Sequence, residues 1–355
     1  MEYKIITTSE GFAKLKDDWE QIENQSSKTT IFSTFNYCYN WWKTFQNISE
    51  IKLWIIIVLN NNKIVGIAPL IIETLKIRFG AKIDIIKFLA YGDYHDFLID
   101  NEEEAKPDNI YKLIFSVFDE FDKLWDKISL THIAHNSYLT SFLFKSKFNK
   151  SFTPLIENPY IKLNNHENFE DFLKAQAPSK VNYYKNRLQK KSEYSFENNK
   201  IKIFDCAIID KLEMTYVNKK GAVTRHSMFD NKPKSKFITS LESLGNVEIF
   251  SLRDLKTNKI MIYNWGFIKD LVFYSVNTAY DPIFHDFRVG KVMYYEIFKY
   301  AFETKKFNRL DCGTGRYPWK FEWTNDFNLL YQLNIDKPRS KYLKKYYMLK
   351  TLLKK

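Results

Sequence analysis

Between Tyr280 and Trp323 the chain gathers residue types that handle anions and protons within one short stretch. Arg288, Val289, Gly290 and Lys291 open a segment whose apolar residues Val289, Val292, Met293, Ile297, Tyr300 and Ala301 recur at the spacing of an amphipathic helix. A helix start offers unpaired N–H groups and the positive end of the macrodipole, so two cations beside a glycine there suit a phosphate. The same residues also fit a plain turn in which Gly290 eases the backbone and both cations are solvated. Residues 307–312 read as a short strand that turns at Gly313 and Gly315, which puts Asp311 at the mouth of a strand following an anion-friendly helix. Polar residues at strand ends beside a helix start are a usual setting for a site.

The elements that must hold this stretch can be read in order. In the first half, 2–8 reads as a strand, Ser9 caps a helix to about Gln21, and a second helix carries the aromatic core stripe Tyr37, Trp41, Trp42 and Phe45. Strands at 53–59 and 63–72 form a hairpin around Asn60, Asn61 and Asn62, and a third strand at 83–89 ends in the polar aromatic cluster 91–97. A helix from Pro107, a strand at 127–131, a short helix at 137–145 and a strand at 160–163 follow. The second half repeats the order, with helical regions at 169–191 and 208–244, a hairpin of 247–252 and 259–267, a third strand at 271–276, the loop and helix above, the Asp311 strand and a last strand at 329–335. Recurrence of element order without recurrence of residues predicts a duplicated α+β chain, divided at 1–155, 156–336 and a basic C-terminal helix at 337–355.

Composition sets the bounds. At 355 residues the chain exceeds one comfortable core, and 45% hydrophobic with 17% aromatic content is that of a folded protein. The formal charge of +12 points to anionic company, or to a basic soluble protein. Cys38, Cys206 and Cys312 lie far apart, so neither a disulfide framework nor a zinc site is expected, and no metal is assigned. The first residues lack a signal pattern and the longest aliphatic run is too short to cross a bilayer, so a cytoplasmic protein is expected. Hairpins dominate and no GxGxxG follows the first strand, which argues against a dinucleotide-binding fold.

The run Asp311-Cys312-Gly313-Thr314-Gly315-Arg316-Tyr317-Pro318-Trp319-Lys320, followed by Trp323, resembles the C-terminal signature of GNAT-like N-acyltransferases, in particular the cellulose-biosynthesis (CelD-like) and Fem-type (FemAB-like) groups. Trp319 stands where that pattern has tyrosine, and the glycine-rich pyrophosphate loop is reduced to Arg288, Val289, Gly290 and Lys291. The resemblance implies two tandem GNAT-like domains, each a mostly antiparallel mixed sheet flanked by helices. It implies acyl-CoA as donor, a small amine such as an amino sugar or amino acid as acceptor, and a surface-polymer pathway. A Fem-like transfer from aminoacyl-tRNA and a non-catalytic binder of anionic polymer are the alternatives.

For such a transferase the implied proton acceptors are Asp281, His285 and Asp311. Asp281 otherwise caps a turn with Pro282, His285 is otherwise a solvated loop histidine, and Asp311 otherwise holds the Gly313 turn. Tyr317 is placed as proton donor to a leaving thiolate or as an aromatic lid. Trp319 and Lys320 are placed at the substrate, Lys320 binding an anion or extending into solvent. Asp93, Tyr94, His95 and Asp96 resemble an aspartate-tyrosine element of the N-terminal half and are assigned to the acceptor. The acidic Asp100, Glu102, Glu103 and Glu104 confine the donor to the second half. A basic helix at 180–191 with Lys185, Arg187, Lys190 and Lys191 is either a binding face or a solvated one, and the C-terminal tail either packs or meets an anionic membrane surface.

Overall fold

A computed structural model describes residues 1–26, 29–48, 50–77, 81–100, 106–221, 224–337 and 339. The first elements are β1 (Glu2–Ile6), α1 (Ser9–Lys14), α2 (Lys16–Gln25), α3 (Phe35–Phe45), β2 (Ile51–Leu53), β3 (Ile55–Asn60), β4 (Lys63–Ala68), β5 (Leu70–Lys76), β6 (Lys82–Phe88) and β7 (Leu98–Ile99). Next come α4 (Pro107–Glu120), β8 (Lys127–Ala134), α5 (Tyr138–Lys145), β9 (Phe152–Lys162), α6 (Phe169–Gln176), α7 (Val181–Lys191), β10 (Tyr194–Asn198), α8 (Ile203–Lys220) and α9 (Lys232–Ser240). The chain ends with β11 (Val247–Asp254), β12 (Ile260–Lys269), β13 (Val272–Tyr280), α10 (Val289–Thr304), β14 (Arg309–Asp311) and β15 (Phe327–Asp336). Two compact units result: Met1–Ile156 with Leu329–Lys355, and Glu157–Asn328.

In the first unit the expected hairpin forms, with Asn61 and Asn62 at φ 50° and 62°, the left-handed pair that a tight turn needs. Each of its long strands is broken, however, at Trp54 and Pro69, so β3 and β4 join β1 and β7 while β2 and β5 join β6, β8 and β15. Proline has no N–H to continue a ladder, and Trp54 takes the carbonyl of Leu70 across the break. The strand at the C-terminal end was expected in the second half. Instead β15 pairs antiparallel with β8 from Leu330 opposite Ala134 to Asp336 opposite Lys127, and Leu333 is buried in the first unit's core. Arg339 continues this attachment, donating to both carboxylate oxygens of the fully buried Asp126. The expected tail helix lies outside the described residues apart from Lys337 and Arg339.

The second unit is a sheet with strands in the order β10-β11-β12-β13-β14-β9. The pairs from β10 to β13 are antiparallel, β13 and β14 are parallel, and β14 is antiparallel to β9. This is a mostly antiparallel mixed sheet flanked by helices, as the sequence predicts. β12 presents Ile262 to α10, where it lies beside Gly290, and the next residue, Tyr263, to Asp210 of α8, so the two helices cover opposite faces. A bulge between Trp265 and Gly266 leaves Val276 of β13 unmatched.

Gly266 makes that bulge sterically feasible, because a Cβ there would stand 1.9 Å from the Tyr274 carbonyl oxygen. A backbone oxygen cannot step aside without breaking the β12 and β13 ladder. Gly266→Ala is therefore expected to cost about 2–4 kcal/mol, read as a lower midpoint in urea unfolding followed by circular dichroism.

Candidate active site

β13 is nine residues long and β14 only three, so their pairing runs from Val272 opposite Arg309 to Tyr274 opposite Asp311 and stops. Beyond Tyr274 the two strands part, and the in-plane groups of β13 need other partners. One of them is taken by a helix: the Tyr280 N–H donates to Glu213 Oε2 of α8 at 3.1 Å. Burial pushes the Glu213 carboxyl up to about 7, with Asp210 adding to the rise and the Tyr280 N–H and Arg225 opposing it. A carboxylate poised near neutrality at a gap between strands is the chemistry of a proton acceptor.

Asp210 lies one helical turn before Glu213 and is buried. Its Oδ1 accepts from Tyr263 Oη at 3.4 Å and Asn277 Nδ2 at 3.2 Å, while its Oδ2 is buried without a partner among the described residues. Tyr263 also donates to Asn277 Oδ1. On the opposite face, at the point where the strands part, Ser275 Oγ donates to Asn264 Oδ1 at 2.8 Å. Beside them lies the Tyr294 hydroxyl of α10, with Cys312 next to it. Tyr294 Oη and Asn264 Nδ2 are buried without a hydrogen bond of normal geometry among the described residues. Burial holds the Tyr294 hydroxyl well above the ordinary phenol range, so it keeps its proton and remains a donor.

At the end of β13 the chain makes one 3-10 segment, Pro282–Phe287, and enters α10. Arg288 occupies the position before the helix with φ 53°, and its side chain is exposed. The N–H groups of Val289 and Gly290 meet no backbone acceptor among the described residues. A Cβ at Gly290 would touch only Ile262 Cδ1, at 3.9 Å, so the flank of the first turn is open. Lys291 was expected to supply a second free cation, but its Nζ lies 2.8 Å from Glu322 Oε2. The helix start, Arg288 and the open flank fit a phosphate; Lys291 is already balanced. In α7, Lys185 donates to Tyr295 Oη at 3.0 Å and Arg187 lies over the Phe287 ring, so part of that basic helix packs against aromatics.

The residues singled out from sequence fall into three settings. Asp281 caps the 3-10 segment through Ile283 N at 3.1 Å, and His285 Nδ1 lies 2.9 Å from Tyr280 Oη, so the histidine is tied to the strand end. Asp311 is buried and accepts from Gly313 N at 3.1 Å, the turn-holding arrangement. Lys320 does not extend into solvent: its buried Nζ donates to the carbonyls of Gly313 at 2.7 Å and Thr314 at 2.9 Å. Trp319 packs 5.5 Å from the Tyr294 ring, and Tyr317 is half-exposed above Gly315. In the first unit Tyr94 and His95 are buried, His95 stacking on Phe88 at 4.8 Å, and Asp96 accepts from Phe97 N at 2.8 Å. Asp93 is half-buried near His132. Asp100 is buried against Lys63 at 3.0 Å; Glu102, Glu103 and Glu104 lie outside the described residues.

Glu213, Asp210, Asn264, Ser275 and Tyr294 were not singled out from sequence. The available signal was Asp210 and Glu213 at i and i+3 on the same helix face as the apolar Cys206 and Ile209. Carboxylates on an otherwise buried face need a reason to be there.

Comparison with known proteins bears on the fold that holds these residues. Residues 185–321, which lie within the second unit, match the acetyltransferase (GNAT) domain family. No curated protein matches the sequence. Among solved structures the chain is similar to FemX, at 11% identity over 94% of this chain and 97% of that one, with a TM-score of 0.60. It is similar to a tandem GNAT protein from the clavulanic acid biosynthesis pathway, at 8% identity over 96% and 100%, TM-score 0.54. It also resembles the C-terminal domain of a putative lysylphosphatidylglycerol synthetase from Agrobacterium fabrum, at 10% identity over 91% and 92%, TM-score 0.53. At these identities the likeness is one of fold.

Two outcomes test these assignments. Lys320→Met removes two charge-assisted hydrogen bonds to the 313–314 turn, about 1.5–3 kcal/mol each at most; a lower melting temperature with faster proteolysis near Gly315 is expected. His95 is held down at about 3 by burial and by His132. The unfolded imidazole binds a proton near pH 6.5 and the folded one does not, so stability is present above that pH and is lost as pH falls from 6.5 towards 3. Urea midpoints of His95→Phe across this range should fall less steeply than those of the parent protein.

Proposed function

We propose that this protein is an N-acyltransferase that moves an acyl group from acyl-CoA to a small amine, an amino sugar or amino acid, across the gap between β13 and β14. The observation that carries the reading is Glu213, a carboxyl raised to about 7 and hydrogen-bonded to the strand edge where β14 has ended. The GNAT-type domain of residues 185–321 supports the same class of reaction.

A thioester supplies an activated acyl carbon, and the remaining tasks are to position it, take a proton and stabilise an oxyanion. The α10 start, with the Val289 and Gly290 N–H groups and Arg288, is placed to receive the donor's phosphates. Tyr294 Oη and Asn264 Nδ2 lie side by side where the strands part, neither in a hydrogen bond of normal geometry among the described residues, so both can turn to a carbonyl oxygen that becomes negative. Glu213 works from the α8 face. It takes one proton of an ammonium arriving there, so that the neutral amine attacks the acyl carbon; the C–S bond breaks, and the leaving thiolate takes up the second proton that the nitrogen sheds on becoming an amide. Asp210, with one oxygen unpaired, adds negative charge that draws the cationic acceptor.

Glu213→Gln should lower kcat by roughly 10²–10⁴ while acyl-CoA binding by calorimetry stays within about threefold. The proton acceptor must be ionised, so kcat/KM of the parent enzyme should rise with pH through about 7, and this limb should vanish in the variant. Unchanged turnover in Glu213→Gln would remove Glu213 from the reaction.

A further inference from the structure

α8 buries one face against the sheet and leaves the other bare. Phe204, Ile208 and Leu212, spaced i, i+4 and i+8, are 68%, 49% and 47% exposed, so the three side chains form one apolar stripe open to solvent. Lys211, Thr215 and Lys219 share that face. Beside it, α8 and α9 enclose an open groove of about 670 Å³, lined by Lys211, Lys232, Lys236, Ser235, Thr239 and the single acid Asp230. Asp230 is engaged by Ser227 N at 2.9 Å, whereas the ammonium groups of Lys211, Lys232 and Lys236 have no carboxylate partner among the described residues.

An apolar stripe flanked by unpaired lysines is the pattern of a helix lying in a membrane interface, with its apolar side chains among the acyl chains and its cations at the phosphates. We infer that the outer face of α8, with the adjoining α9 groove, docks this protein on an anionic lipid surface. The charge decides between occupants: a second copy of a +12 chain would bring like charge to a lysine-lined groove, while anionic headgroups neutralise it. Because Glu213 projects from the opposite side of the same helix, docking would hold the candidate site close to the lipid surface. The inference does not depend on the acyltransferase reading.

Sedimentation of the full-length protein with vesicles of phosphatidylcholine alone, or with 30% phosphatidylglycerol at about physiological salt, tests it. The parent protein is expected to bind only the anionic vesicles. Phe204→Ser with Ile208→Ser and Leu212→Ser, and separately Lys211→Glu with Lys232→Glu and Lys236→Glu, should each weaken the partition by roughly tenfold or more. All six positions are solvent-facing, so the melting temperatures should stay near that of the parent. In Phe204→Trp, the tryptophan emission should shift to the blue on binding. No binding by the parent protein, or binding by either triple variant equal to that of the parent, overturns the proposal. So does a dimer in analytical ultracentrifugation that the apolar variant dissociates while vesicle binding persists.

Discussion

The candidate site depends on one mismatch of length: β13 continues for six residues after β14 has stopped. A strand edge left inside a protein is costly, because each buried N–H without a partner forfeits a hydrogen bond. At the far end of this unpaired edge the protein supplies a side chain from another element, the Glu213 carboxylate at the Tyr280 N–H, and so brings an acid to the edge that β14 leaves open. The bulge at Gly266 contributes by releasing Val276 from register and re-aiming the residues on either side of it, Ser275 to the α10 face and Asn277 to the α8 face. One backbone irregularity therefore furnishes both halves of the polar lining.

The turn after β14 is held from within. Asp311 fixes the Gly313 N–H while the buried Lys320 ammonium binds the Gly313 and Thr314 carbonyls, so opposite charges nine residues apart clamp the same turn from its two ends. Gly315, at φ 110° with the Tyr317 ring where a side chain would be, is the position that only glycine fills comfortably. This frame puts Trp319 and Trp323 against Tyr294, and thereby fixes the α10 hydroxyl at the parting of the strands. Positioning, more than chemistry, is what the aspartate, glycine and lysine of this stretch supply.

Sequence periodicity located much of the second unit, because α10 and the β11, β12 and β13 meander carry clean apolar spacing and turn residues such as Asn258 at φ 59°. It could not show where pairing ends. Strand length is set by the partner as much as by the strand, and nothing in residues 307–312 says that only three of them will pair. The destination of β15 was equally hidden: Leu330 and Leu333 fit a buried strand in either unit, and only pairing with β8 decides. Of the residues chosen for chemical type, Asp281 and Asp311 turn out to bind backbone N–H groups, a role that aspartate plays far more often than that of a base. Glu213 was missed because a carboxylate in a helix looks solvated until the helix is docked.

α8 explains that miss in physical terms. A helix on a sheet is recognised by one apolar and one polar face, but α8 has apolar residues on both, with Asp210 and Glu213 turned inward among Ile209 and Cys206 and with Phe204, Ile208 and Leu212 turned outward. Each inversion has a cost. The inward acids lose hydration, which Tyr263, Asn277 and the Tyr280 N–H recover only in part, since one Asp210 oxygen stays unpaired and the Glu213 carboxyl resists ionisation until about pH 7. The outward apolar residues lose the stabilisation that burial would have given them. Stability alone would reverse both choices, and this is the physical ground on which the two faces of α8 are proposed to meet partners outside the folded chain.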